Sequence, residues 1–461
     1  MENLFLNELI AAVKGEFLIG DPHSPVVNIS IDTRSLRKGD YYFALPGKNY
    51  DGHDFLRQAI ERQVGGIIIS RKEIDLGNPF PSFPAVVKVR DVFCALGDLA
   101  ACYRGKWTIP LVAVTGSNGK TTTKEMLRGI LSHLGPTLAT SGNFNNQIGL
   151  PLTLFNLTSR HRYAVVEMGT SFPGEISRLA EIALPNVGII TNIGCSHLEN
   201  FVTREGVYLE KKQLLEILGD GCAAVINEDD DLISAFDVKQ GCRRISFGIK
   251  NTADVMARNI QLQDGYPSFD LCLDNERVSV RLKMFGTFNI YNALAAAGAA
   301  WHLGASPDVI RQGLENVIPP HMRMETVHLR SGAVVINDAY NSNPTSVRQA
   351  LASFAEAFSG RDTIAVLGDM LELGPASQQL HAEIGTFIET QPIGEVYFFG
   401  PLMAEAADMV KTKKVRVFGR KEELERALKE RITGRTAVMF KASRGMRLED
   451  VVNQLIIEEK R

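Results

Sequence analysis

Cysteine is scarce and scattered in this chain. The six among 461 residues, Cys94, Cys102, Cys195, Cys222, Cys242 and Cys272, fall at irregular spacings with no CxxC pair, so neither a zinc cage nor a disulfide framework is expected. Apolar runs of about 18 residues, the length a membrane helix needs, are also missing. The opening MENLFLNELI carries acid and no basic n-region, so a cytoplasmic protein without membrane insertion is expected. No sign of charge dominates: 50 Lys+Arg stand against 53 Asp+Glu, a net charge of −3. That balance gives no general pull toward nucleic acid, and none is expected as a partner. Any phosphate site must be local. What is present, 45% hydrophobic and 22% charged residues, excludes a disordered or fibrous chain. The length suits about three domains.

The first hundred residues alternate short apolar runs, such as Gly66-Ile67-Ile68-Ile69 and Ala85-Val86-Val87, with Gly, Pro and Asp turns. They predict a small α/β unit over 1–105. From Leu111 the pattern becomes strand then helix: LVAV, AVVEMG, VGIITN and AAVIN are strand-length apolar runs, each followed by a polar loop. Buried parallel strands have this form, and a central unit over 106–318 follows. Residues 293–300 predict a packed helix. Ile318-Pro319-Pro320 marks the next boundary, because a residue before proline is pushed out of helical geometry. A third α/β unit over 319–461 would take its strands from AVVIND, TIAVLGDM, VYFFG and TAVMF.

The strongest chemical signal is TGSNGKTTT at 115–123, directly after the strand 111–114. Beyond it Met126, Leu127, Ile130, Leu131 and Leu134 recur at helical spacing. Strand, glycine loop and helix in this order suit phosphate: backbone N–H groups close around its oxygens, Lys120 reaches the terminal phosphates, and Thr121 can hold magnesium. A longer P-loop would have glycine where Val114 stands, so the generic pattern is met in part. Glu167 ends the strand 163–166, where open parallel sheets place their ligands, and a carboxylate there suits a hard cation.

Other candidates are weaker alone. His197, on the loop in TNIGCSH, taken singly is an ordinary loop histidine. A helix predicted over 205–218 puts Val207, Lys211, Leu214 and Leu218 on one face, which turns Lys211 inward; a snorkelling lysine explains the same pattern. Asp32 and Arg34 equally describe a surface ion pair, His53 a turn residue, and Asp338, Asp369 and Glu372 helix caps.

Taken together, TGSNGKTTT, VEMG, TNIGCSH and EGVYLEKK resemble the central ATPase domain of the Mur ligases, which build the peptide of the peptidoglycan precursor. The resemblance extends to the segment at 30–53, SIDTRSLRKGDYYFALPGKNYDGH, which is similar to the UDP-sugar module of the later family members. INDAYNSNPTS and AVLGDMLELG resemble the branch that adds D-alanyl-D-alanine. The resemblance implies three α/β domains: an N-terminal UDP-substrate domain, a central P-loop-type parallel-sheet ATPase domain, and a C-terminal Rossmann-like domain. It implies a ligase that joins D-alanyl-D-alanine to UDP-N-acetylmuramoyl-tripeptide through an acyl phosphate, using ATP and magnesium; a monomer is expected, though nothing in the sequence speaks to oligomeric state.

Site residues follow by the same resemblance. Gly116, Ser117, Asn118, Gly119, Lys120, Thr121 and Thr122 would hold the ATP phosphates, with Asn292, Arg323 and Asp338 on the nucleotide. Thr121 and Glu167 would hold one metal, His197 and a carbamylated Lys211 a second. Asp32, Thr33, Arg34, Asn143, Asn145, Asn146, Tyr340, Asn341 and Asn343 would contact the two peptide substrates. Three positions depart from the family pattern: Phe288 stands where many relatives carry histidine, and Met322 and Ala442 where they carry glycine. Folylpolyglutamate synthetases share the phosphate loop, and a nucleotide-driven switch would too; the DTRSLRKGDYYFAL block argues against the former.

Overall fold

The computed structural model describes residues 1–47, 49–71 and 84–460; Lys48, inside the segment 30–53 singled out above, lies outside them. Three sheets organise the chain, in agreement with the three-domain α/β expectation. The first orders its strands Glu16–Ile19, Ala85–Lys88, Gly66–Ile69, Tyr41–Phe43 and Ile29–Ser30, with only the first pairing antiparallel. The third has a parallel core of Val334–Asp338, Thr436–Lys441, Asp362–Gly368, Glu395–Phe399 and Lys414–Phe418, edged by the antiparallel Glu325–His328.

The central sheet positions the site. Leu111–Thr115 pairs with Tyr163–Glu167 on one side and Val187–Ile190 on the other. All three are buried on both faces apart from Tyr163, which explains their unbroken apolar sequences. Because the strand order reverses at Leu111–Thr115, the loops after these strands diverge and leave a crevice at their carboxyl ends. The sheet continues through Ala223–Asn227 and Arg243–Gly248 into an antiparallel extension, Val255–Gln263, Tyr266–Leu273 and Glu276–Arg281, absent from the strands predicted above. The packed helix is there: Phe288–His302 lies against Lys120–Leu131, with Ala293 to Ala300 fully buried.

The predicted helix over 205–218 is interrupted. It runs as Arg204–Lys211 and then Gln213–Glu216, because the Lys212 carbonyl accepts from Leu215 N at 2.8 Å, a three-residue closure that tightens the turn. The face survives the break, and Val207, Lys211, Leu214 and Leu218 are all buried.

Apolar packing joins the units. Ile193, Leu198 and Phe201 of the central unit share a core with Val347, Phe354 and Leu373 of the third. At the other junction Arg104, 4% exposed, closes the link to the first unit. Its Nε donates to Ala183 O at 3.0 Å, Nη1 to Trp107 O, and Nη2 to Ile109 O at 3.1 Å and Asn186 Oδ1 at 3.3 Å. Arg104→Ala removes the charged donor from four oxygen acceptors, of which Ala183 O is buried and the other three part-buried, at a cost of about 1.5 to 3 kcal/mol. Hydrogen exchange should report it as faster opening of residues 105–110; unchanged protection there would contradict the assignment. Among the described residues no helix is long and apolar enough to cross a membrane.

Candidate active site

The loop after Leu111–Thr115 takes its shape from two glycines. Gly116 has φ +145° and Gly119 φ +82°; a Cβ on the first would strike Thr191 Oγ1 and on the second Asn292 Oδ1. Only glycine serves at either place. The loop is braced from the strand Val187–Ile190 side: Ser117 N donates to Asn192 O at 2.9 Å, Asn118 N to Asn192 Oδ1 at 3.0 Å, and Ser117 Oγ to Gly194 O at 3.1 Å. Those two N–H groups are therefore spent within the protein. The first turn of helix Lys120–Leu131 keeps N–H groups with no helical carbonyl before them, so it carries the anion-binding character.

Lys120 Nζ folds back onto its own loop, 2.7 Å from Gly116 O and 3.3 Å from Ser117 O. Burial pushes its pKa down to about 8; Glu167 opposes the shift and Arg323 adds to it. Competitive acylation across pH should therefore give this one amine an apparent pKa near 8, against about 10.4 for ordinary lysines. A normal value for Lys120 would refute the burial argument. Glu167, 2% exposed at its strand end, accepts from Thr121 Oγ1 at 2.8 Å and from Asn145 Nδ2 at 2.8 Å. A buried carboxylate and a hydroxyl from a helix N-terminus form a fitting oxygen pair for magnesium.

His197 and Lys211 are the two residues expected at the second metal. His197 has a left-handed backbone, φ +52°, and its Nδ1 lies 2.7 Å from Glu372 Oε2; that imidazole holds the Glu372 carboxyl below its usual range. Lys211 is 1% exposed and has no hydrogen-bond or ion-pair partner among the described residues. Burial, reinforced by the Lys120 charge, drives its pKa well below the lysine value, with Glu210 opposing. Glu210 itself is anchored by Gly174 N at 2.7 Å and Ile176 N at 2.8 Å.

A cleft of about 410 Å³ collects these groups with the third unit. Ser117, Asn118, Gly119, Lys120, Thr122, Asn145, Asn146, Glu167, His197 and Asn292 line it from the central unit; Arg323, Asp338, Tyr340 and Asn341 line it from beyond. Arg323 lies over the Tyr340 ring at 4.2 Å, and Asp338 accepts from Lys441 Nζ at 2.6 Å. Asn343 caps helix Pro344–Ala357 and donates Nδ2 to Asn118 Oδ1 at 2.8 Å, a direct tie to the phosphate loop. Met322 has φ +59°, the conformation that makes glycine natural at this position.

Other expected residues lie apart. Gly116, Thr121 and Lys211 do not line the cleft, and Asn143 is exposed on the neighbouring loop. Asp32, Thr33 and Arg34 belong to the first unit and do not line the cleft. Arg34 grips Asp32 at 2.7 Å and holds its carboxyl at about 2, while Thr33 donates to Gln58 Oε1. His53 is a buried turn histidine with Nδ1 on Asp51 and Nε2 accepting from Ser70 N. Residues unforeseen in the sequence also line the cleft: Thr170, Ser171, Phe172, Glu175, Met284, Gln349 and Lys441. Of these only Lys441 had a legible signal, its place at the end of the strand TAVMF.

A lysine held beside a helix N-terminus, at the switch point of a parallel sheet, defines a nucleotide-using α/β enzyme. Comparison with known proteins narrows the class. Family models match 25–104 as Mur ligase family, catalytic domain, 114–300 as Mur ligase middle domain, and 322–444 as Mur ligase, glutamate ligase domain. The chain belongs to the Mur ligase family. A UDP-N-acetylmuramoyl-tripeptide–D-alanyl-D-alanine ligase from Bacillus subtilis (strain 168) is 35% identical over 435 residues, 93% of each chain. MurF from Acinetobacter baumannii superimposes with a TM-score of 0.89 at 31% identity, covering 98% of both chains. The MurF ligase from Thermotoga maritima, solved in complex with ADP, gives 0.82 at 29% identity, over 94% of this chain and 98% of that one.

Proposed function

We propose that this chain joins D-alanyl-D-alanine to UDP-N-acetylmuramoyl-tripeptide, with ATP cleaved to ADP and phosphate, in peptidoglycan precursor synthesis. The observation that carries the reading is the shared cleft: the phosphate loop faces Asp338, Tyr340 and Asn341 of the third unit across one cavity. A ligase needs that convergence, since the donor carboxylate must meet the γ-phosphate and then the acceptor amine.

The donor carboxylate is a poor electrophile, because amide formation would have to expel oxide. Transfer of the γ-phosphoryl group to it gives an acyl phosphate and ADP. The dipeptide amine then attacks the carbonyl carbon, and the tetrahedral intermediate expels phosphate. Lys120, Gly116 and residues 117–122 bind and orient the phosphates; Asn292, Arg323 and Asp338 hold the rest of the nucleotide. Thr121 and Glu167 form one magnesium site, His197 and a carbamate on Lys211 a second. Magnesium supplies neutralisation of the charge that develops on the transferring phosphoryl group. Asp32, Thr33 and Arg34, with Asn143, Asn145 and Asn146, serve the UDP-linked donor; Tyr340, Asn341 and Asn343 serve the acceptor. The units meet near residues 105 and 318, and their closure excludes the water that would hydrolyse the acyl phosphate. We place the reaction in the cytoplasm, catalysed by a monomer.

Phosphate release measured over a panel of UDP-muramoyl peptides and amines tests this. Release should require both UDP-tripeptide and D-alanyl-D-alanine. Release without the dipeptide would indicate a nucleotide-driven switch, and faster reaction with D-glutamate, L-lysine or diaminopimelate would move the chain to another branch.

A further inference from the structure

One carboxylate at this site has no part in the steps above. Glu372 sits on the loop 369–374, after strand Asp362–Gly368 of the third unit, and reaches to within 2.7 Å of His197 Nδ1 in the central unit. That nitrogen is shut off from solvent and makes no hydrogen bond of good angle; Glu372, at ion-pair distance, is the carboxylate that lies against it.

The loop is built to hold this contact. Asp369 accepts from Met403 N at 2.8 Å, Met370 N donates to Nε2 of the fully buried His381 at 2.9 Å, and Leu371 N donates to Ser443 Oγ at 2.9 Å. Glu372 then takes a left-handed backbone, φ +64°, rare for a residue with a side chain, and its carbonyl accepts from Glu199 N at 3.2 Å. Gly374 allows the close approach, since a Cβ there would lie 2.9 Å from Glu199 Cα. His197 at the other end of the contact is also left-handed. Two uncommon backbones facing each other across a unit boundary indicate a constraint worth its conformational cost.

We propose that Glu372 is a positioning residue for His197, through which docking of the third unit sets the histidine's ring plane and tautomer. A carboxylate 2.7 Å from Nδ1 favours the tautomer that carries its proton on that nitrogen, and Nε2 then keeps its lone pair for a cation. The metal-side histidine is then ready only when the third unit is docked, so assembly of the metal site is coupled to arrival of the unit that brings the acceptor residues. This rests on the reading of His197 as a metal ligand.

The test uses the full chain with Glu372→Gln, Glu372→Ala, His197→Ala and the double variant His197→Ala/Glu372→Ala. Two quantities are read: ligation kinetics, and manganese binding in the presence of ADP, followed by the electron paramagnetic resonance of free manganese. Glu372→Ala should lower kcat and weaken manganese binding about tenfold to a hundredfold, the usual effect of losing a partner behind a ligating histidine, with KM for ATP unchanged within about twofold. In the His197→Ala background the same change should add nothing, because both act as one unit. Unchanged kcat and manganese binding in folded Glu372→Ala would overturn the proposal, as would losses that multiply in the double variant. If Glu372→Ala fails to fold, the isosteric Glu372→Gln carries the same comparison. If His197→Ala retains wild-type turnover and manganese affinity, the ligand role of His197 fails, and that result is distinct from a failure of Glu372 alone.

Discussion

Replacing Lys120 by alanine should leave a folded protein that ligates about 10² to 10³ times more slowly, the cost of losing one donor aimed at developing charge. The side chain lies at the opening turn of helix Lys120–Leu131, next to the loop carbonyls of Gly116 and Ser117. Phosphate oxygens entering the cleft would take over those contacts and relieve the burial that now holds the ammonium down at about 8. The same burial predicts the effect on folding. A lysine whose charged form is disfavoured in the folded state contributes no stability through that charge, so the alanine variant should melt no lower than the parent. Lys120→Arg should also be slow, because a broad guanidinium does not fit a loop shaped around a slender ammonium. Coupled phosphate release together with thermal unfolding checks both statements. Near-normal turnover in folded Lys120→Ala would remove the phosphate-loop assignment.

What the sequence made legible is local in the chain. The strands bearing LVAV, VEMG and VGIITN are buried on both faces, so their apolar runs needed no partner to be recognised. The glycine loop was equally self-contained. Groups that meet through the fold were harder to see. In the sequence Asp369 and Glu372 suit helix caps as well as a cleft at the strand end; in the fold Asp369 reaches the start of helix Pro401–Ala406 through Met403 N, and Glu372 crosses to His197. Lys124, beside the phosphate motif, is 1% exposed and donates to Thr140 O at 2.6 Å, which steadies the loop toward Asn145; nothing in TTTK announces that burial. The antiparallel extension did carry a signal, the alternation of buried Phe269, Leu271 and Leu273 with less buried neighbours. The break at Lys212 carried none, because the residues on both sides favour helix and the turn closes through the backbone.

Lys211→Ala should lose ligation activity, and short carboxylic acids such as acetate should partly restore it, whereas Lys212→Ala should remain active. The two neighbours have opposite environments. Lys212 is partly exposed and pairs with Glu216 at 2.8 Å, a contact that raises its pKa and keeps it an ammonium. Lys211 is enclosed beside Val207 and Leu214, without a carboxylate partner, and feels the repulsion of Lys120. Burial and like charge both favour the neutral amine, and the neutral amine is the form that captures carbon dioxide. The resulting carbamate exchanges a buried neutral amine near Lys120 for an anion that attracts that lysine's charge, and offers oxygen to a hard metal. Removing the side chain leaves a space about the size of its end, which a small carboxylate can enter to supply the same oxygens. Growth of activity with acetate concentration in Lys211→Ala, with no such response in the parent, is the expected signature. Full activity in Lys211→Ala without added acid would defeat the carbamate assignment, and loss in Lys212→Ala would move it to the wrong neighbour.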